Sequence, residues 1–158
     1  VHRAIIALGV NHGSVNMDLL ITNEGNVHIV DVGARMGGNL IGSHIIPMGT
    51  GIDYMGNMIR AAVGDETDWK PTCEPRPVAT KLLALAPGKI KNLPDFAQIA
   101  AENNVQIEHH LHIGDLITPY RTNLDGCGYV VASNLDVNLS IEQAAEVRSL
   151  IDKSIERV

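Results

Sequence analysis

Aromatic side chains are scarce in this sequence: Trp69, Phe96, Tyr54, Tyr120 and Tyr129 make up 3% of its 158 residues. The core must therefore be aliphatic, and little surface is available for stacking nucleobases. Cysteine is nearly missing too. Cys73 and Cys127 lie far apart, which excludes a disulfide scaffold and fits a reducing, cytoplasmic setting. No apolar run approaches the ~18–20 residues of a membrane span, and no basic leader with a small-residue cleavage site is present. Positive charge is short, with 12 Lys+Arg against 18 Asp+Glu and a net charge of −6. That balance argues against nucleic acid or an anionic membrane as partner. There is no internal repeat and no low-complexity tract. What is present is 45% apolar and 19% charged, enough for one globular domain or a domain with a small appendage.

The chain opens without Met, at Val1-His2-Arg3, and runs straight into apolar Ala4-Ile5-Ile6-Ala7-Leu8. This reads as the end of a helix closed by Gly9, and the expectation is a piece of a longer protein. Residues 14 to 33 read as a β-hairpin: Val15, Met17, Leu19 and Ile21 recur with a period of two, Asn23-Glu24-Gly25-Asn26 has turn chemistry, and residues 27 to 32 resume strand composition. Gly33-Ala34-Arg35-Met36-Gly37-Gly38-Asn39 reads as a loop where backbone comes close to something. Residues 47 to 51 read as a second loop, leading into a helix from about Ile52 to Val63 that Gly64 stops. Residues 65 to 76 are polar and proline-containing, a linker or surface excursion. Strands are expected at 78 to 85, 105 to 113 and 128 to 133, and a short helix at 93 to 102. The last segment is the clearest helix, with Ser140 and Gln143 as a capping box and Ala144, Val147, Ile151 and Ile155 on one face.

Hairpin register decides the chemistry. A four-residue loop, 23 to 26, sets Thr22 opposite Val27 and hence Asp18 opposite Asp31. Directly opposed side chains share a face with Cβ atoms roughly 4.5–5.5 Å apart, and two like charges there are destabilising unless a cation sits between them or one carboxyl is protonated. Two carboxylates with room for waters and phosphates are the ligand set Mg²⁺ prefers. Asn16 lies on the same face and can add an amide oxygen; Arg35, four residues after Asp31, can hold a phosphate bidentately. A three-residue loop, which Gly25 suits as a bulge, would instead slip the register and leave each carboxylate solvated by itself.

Together, Ala7-Leu8-Gly9-Val10 through Gly13-Ser14-Val15-Asn16-Met17-Asp18, then Asp31-Val32-Gly33-Ala34-Arg35-Met36-Gly37-Gly38, then Thr50-Gly51-Ile52-Asp53 resemble the C-terminal half of an ATP-grasp ligase domain. The likeness is to the carbamoyl-phosphate-synthase-like and L-amino-acid-ligase branches. It covers residues 4 to 65 well and Lys81 to Val131 more loosely, where Ala86-Pro87-Gly88-Lys89 and residues 128 to 132 look like the small C-terminal lobe of such ligases. The resemblance implies an α+β fold: an antiparallel sheet with helices over residues 1–70, then a small mixed α/β lobe over 76–158. It further implies Asp18 and Asp31 as ligands of Mg²⁺ (or Mn²⁺), Arg35 as the group steadying an acyl phosphate, and Gly37, Gly38 and Asn16 as contacts of the bound nucleotide phosphates. ATP, a small carboxylate and an amine would be the substrates. Two departures stand out: the second acid is Asp31 where Glu is more frequent, and Gly33 stands where many members carry Asn. The amino-acid-ligase-like branch lacks that Asn as well. The family's glycine-rich phosphate loop and phosphate-binding lysines have no counterpart here, so an N-terminal remainder of the same protein is an expected partner and the chain alone is expected to be inactive.

Other candidates carry less. His109, His110 and His112 cluster on an expected strand, but no further ligands at a zinc spacing accompany them. His12 lies beside the glycine loop in the register, within reach of a substrate. Cys127 has no neighbouring base for nucleophilic work. Two rival readings stay open: a noncatalytic binding or regulatory module with a structural cation site, and a Mg²⁺-dependent phosphoesterase, which would need more carboxylates than the hairpin offers. Self-association into a homo-oligomer is also left open.

Overall fold

The computed structural model describes residues 1–158, which divide into two compact units, Val1–Glu74 and Pro75–Val158. The architecture is α+β with antiparallel sheets throughout. The first unit begins with helix α1 (His2–Ala7), with Gly9 in the left-handed region just beyond it. Strands β1 (Asn16–Ile21) and β2 (Val27–Gly33) form a two-stranded hairpin. A π-helical turn at Ile41–Ile45 then runs into α2 (Ile46–Thr50). The sequence reading placed a loop over 47 to 51, and the structure corrects it. Pro47 sits in the first turn, where its missing N–H costs nothing, and Gly51 closes the helix at φ +71°. Helix α3 (Tyr54–Val63) follows; the Asp53 carboxylate accepts from Gly56 N at its start, and Gly64 takes the left-handed closing position.

The first unit buries almost no apolar side chain. Its buried residues are Gly42, Gly49 and Asn57, and its hairpin exposes Leu20, Ile21, Val27 and Val30. A lone two-stranded hairpin has too little to bury for independent stability. Asn57 is held by polar bonds instead: its Nδ2 donates to Asp68 O, and its Oδ1 accepts from Asp68 N at 2.9 Å and from Arg60 Nη1 at 3.2 Å. These bonds pin the segment after α3 back onto the helix.

The second unit holds the aliphatic core. Strands β3 (Val78–Leu82), β5 (Gln106–His109) and β7 (Gly128–Ser133) form one sheet in the order β3-β7-β5. Strands β4 (Gly88–Asn92), β6 (Leu116–Ile117) and β8 (Glu156–Arg157) form another in the order β6-β4-β8. Helices α4 (Phe96–Asn103) and α5 (Val137–Ser154) complete the unit, with α5 packed on β3 and β7. Ala144, Val147, Ile151 and Ile155 form the buried stripe of α5 and its C-cap, packed in one cluster with Leu83, Ile90 and Val130. The capping box expected at Ser140 is corrected. Asp136 is the cap, its carboxylate accepting from Asn138 N and Leu139 N, and Ser140 lies buried one turn inside, its hydroxyl accepting from Asn134 N and donating to Asp136 O.

Asp152 closes this unit. Its Oδ1 accepts from Ala86 N at 3.0 Å and from Arg157 Nη2 at 2.5 Å, while Arg148 lies 3.8 Å from Oδ2. Asp152→Ala takes the carboxylate from the largely buried Arg157 guanidinium, leaving it the backbone oxygens of Asp152 and Ile155, and frees the 86–88 turn. It is expected to cost about 2 kcal/mol, measured as the shift of the urea unfolding midpoint.

Candidate functional site

Asp18 and Asp31 are direct partners across the hairpin, though by another route than loop length alone. The turn holds five residues, not four: Ile21 pairs with Val27, and Thr22 N donates to Asn26 O at 2.9 Å. That register continues through Leu20–His28 and Leu19–Ile29, and it would have set Asp18 against Val30. A bulge at Val30 absorbs one residue and restores the Asp18–Asp31 pair, followed by Met17–Val32 and Asn16–Gly33. Because side chains alternate along strands, Asn16, Asp18 and Asp31 stand on one face. Both aspartates are exposed, toward the open end of the ladder.

Arg35 reaches that face through a tight turn. Its N–H donates to Gly33 O at 2.8 Å, a three-residue turn about Ala34 that folds the side chain back. A Cβ placed on Gly33 would stand 3.5 Å from Arg35 Cγ and 3.8 Å from Cζ. The arginine stem thus lies over Gly33 on the face of the acidic pair, and Nη1 donates to Met36 O at 2.8 Å. The glycine loop closes the same end of the hairpin. A Cβ on Gly37 would fall 2.9 Å from Asn16 Oδ1 and 3.0 Å from Ile41 Cδ1, so the missing side chain lets this backbone rest against the Asn16 amide without displacing it. The N–H groups of Gly37 and Gly38 donate to no protein acceptor. Just beyond, Asn39 and Leu40 both take positive φ, 52° and 65°. Left-handed backbone is costly for a leucine, and such strain concentrates at binding and catalytic loops.

The other candidates fall elsewhere. His12 Nε2 bonds to Ala61 O at 3.0 Å, tying the loop before β1 to the last turn of α3 rather than to the glycine loop. The histidine cluster does not converge, since β5 ends at His109. His112 pairs with Asp115 at 3.5 Å, while the His109 ring stacks on Phe96 with centroids 3.9 Å apart. No group of three or more His, Cys, Asp and Glu is placed to hold a metal ion. Burial pushes the Cys127 thiol up, away from the reactive thiolate.

His109 gives a pH dependence with a definite sign. Desolvation lowers its pKa from the usual histidine value; Glu108 opposes this, and the neighbouring His110 and His112 add to it. The unfolded chain therefore binds the proton first, near pH ~6.5. Stability is full above that value and is lost as pH falls from it toward the lowered native pKa. Urea midpoints should decline between pH 7.5 and 5.5, and His109→Gln should flatten the decline.

No family profile matches the sequence, and no curated protein does. Solved structures match almost its entire length. The fold is that of the C-terminal portion of ATP-grasp ligases. The chain is similar to phosphoribosylglycinamide synthetase from Anaerococcus prevotii, at 18% identity and a TM-score of 0.76, with 99% of this chain and 39% of that one covered. It is also similar to L-amino acid ligase from Bacillus licheniformis, at 20% identity and a TM-score of 0.67, covering 98% of this chain and 40% of that one. N5-carboxyaminoimidazole ribonucleotide synthetase from Thermotoga maritima matches at 18% identity and a TM-score of 0.65, over 99% of this chain and 40% of its own. The chain thus spans about two fifths of the length of each of these three. No helix is long and apolar enough to cross a membrane.

Proposed function

We propose that this chain is the acid-bearing C-terminal portion of an ATP- and Mg²⁺-dependent carboxylate–amine ligase that works through an acyl phosphate. In this reading residues 1–70 complete the nucleotide site and residues 76–158 form the small C-terminal lobe. The observation that carries it is the convergence of Asp18, Asp31, Asn16 and the Arg35 stem on one hairpin face, with two unused glycine N–H groups at its end. Fold similarity to ATP-grasp ligases and the uncovered apolar hairpin also support it.

The donor set fits the expected cation. Two opposed carboxylates and one amide are hard oxygen ligands that leave positions for water and phosphate; Mn²⁺ suits the same set. Bound there, the ion would neutralise phosphate oxygens. The chain's own residues do the rest by positioning and charge. Asp18 and Asp31 hold the cation site and keep nucleotide from binding without it. Arg35, anchored at Met36 O, presents its guanidinium to the phosphoryl group as it passes to the substrate carboxylate. The N–H groups of Gly37 and Gly38 donate to that group's oxygens. An amine then displaces phosphate from the acyl carbon.

In this reading the chain alone binds Mn²⁺ weakly and releases no ADP from ATP. Mn²⁺-induced broadening of Asp18 and Asp31 resonances that Asp31→Asn abolishes is the expected result. Steady ADP release by the chain alone, lost in Asp31→Asn, would contradict the division of the site. A large fall in melting temperature on adding EDTA would point instead to a structural cation.

A further inference from the structure

A cavity of about 690 Å³ lies within the first unit, between α1, the loop before β1 and one face of α3. None of the residues of the acidic face lines it, so a ligand bound there is independent of the proposed ligase reading. Its walls are apolar, with Ile5, Val10 and Met58 beside Tyr54 and Trp69, whose rings meet edge to face at 5.7 Å. His12 ties the loop before β1 to α3, and Asn57 pins the segment carrying Trp69, so both movable walls are fastened. The size is that of a pocket for a small organic molecule.

The polar side of the cavity is formed by Asn11, His12, Ser14, Thr67 and Asp65, of which Asp65 is the one carboxylate, and the His12 ring is turned by Nε2 to Ala61 O. Asp65 lines it, and its carboxylate has no partner; Glu66 and Asp68 follow on the same segment. The C-terminal turn of the ten-residue α3 contributes Ala61 and Gly64, where the helix dipole is negative. No lysine or arginine lines the cavity, and Arg60, the basic residue of that last turn, is engaged by Asp53 and Asn57 at 3.2 Å each. An aromatic wall, an unpaired carboxylate and a helix C-terminus all favour positive charge, and the aliphatic wall favours an apolar body.

We propose that this cavity binds an organic cation, an ammonium group carried on an aryl or alkyl body. The ammonium sits against Asp65 and the end of α3, and the apolar body lies among Tyr54, Met58 and Trp69.

Trp69 is the single tryptophan of the chain, so its fluorescence reports on the cavity directly. Phenethylammonium is the probe and phenethyl alcohol its neutral counterpart. The cation is expected to give a saturable change with about tenfold tighter binding than the alcohol. Asp65 is exposed and unpaired, so Asp65→Asn should leave the far-UV circular dichroism unchanged. It should weaken the cation roughly threefold to fivefold, with the alcohol unaffected. Equal binding of the two probes, no saturation, or an unchanged cation affinity in Asp65→Asn would overturn the assignment. So would binding lost in Asp31→Asn but kept in Asp65→Asn, which would place the cation on the hairpin.

Discussion

Arg35→Ala, made in the longer ligase proposed to contain this chain, is expected to lower kcat by roughly 10²–10³-fold while KM for ATP stays within about twofold. The reason lies in where the side chain is held. The turn at Ala34 folds it over Gly33, onto the face of Asp18 and Asp31, and its Nη1 is fixed on Met36 O. A guanidinium held in place before reaction acts most on charge that develops during transfer, so its loss appears in kcat. Arg35→Lys should recover little, because an ammonium cannot both anchor on Met36 O and present a second donor in a fork. A KM for ATP that rises with kcat unchanged would instead make Arg35 a ground-state nucleotide contact. Steady-state kinetics with ATP varied at saturating carboxylate and amine separates the two.

Gly128→Ala is expected to destabilise the second unit by about 3 kcal/mol and to lower its Tm by more than about 10 °C. Gly128 opens β7 at φ +144°, paired with His109. A Cβ there would lie 2.0 Å from Glu108 O and 2.7 Å from His109 Cα. Both are backbone atoms of β5, so relief requires β5 to leave the sheet. Gly126→Ala is the control: its φ is an ordinary −73°, and the nearest atoms to its Cβ would be side-chain atoms of Leu82, Cδ1 at 2.6 Å and Cγ at 2.7 Å, which can shift by rotamer without moving a strand. Thermal unfolding followed by circular dichroism should show a much smaller loss for Gly126→Ala than for Gly128→Ala.

The hairpin shows how a sequence reading can reach a contact by an incomplete path. The alternation of Met17, Leu19 and Ile21 and the turn chemistry at 23 to 26 are local signals, and they mark two antiparallel strands. The pairing of Asp18 with Asp31 followed from an assumed four-residue loop, whereas the chain uses five and recovers the register through Val30. A bulge costs a ladder position and leaves no mark in composition. The short strands β4, β6 and β8 were not legible for a related reason. Two to five residues carry no periodicity, and they extend only because strands distant in the chain meet them. The Ile46–Thr50 helix was hidden by Pro47 and Gly49, which read as loop residues until Pro47 is seen in the first turn.

Local chemistry alone determined the α+β character, the β7 strand at 128 to 133, the stop of α3 at Gly64 and the buried stripe of α5. Each depends on neighbours within a turn or a strand, where spacing and backbone preference decide. Poor in aromatics, the sequence also implied an aliphatic core, which the second unit has. Only the tertiary structure decided that Arg35 folds back over Gly33, that Asn16 rests against Gly37, and that Trp69 and Asp65 close a cavity with α1 and α3. These depend on a three-residue turn, a missing Cβ and a buried asparagine. Their effects pass through space between residues up to dozens of positions apart, and no pattern along the chain encodes that distance.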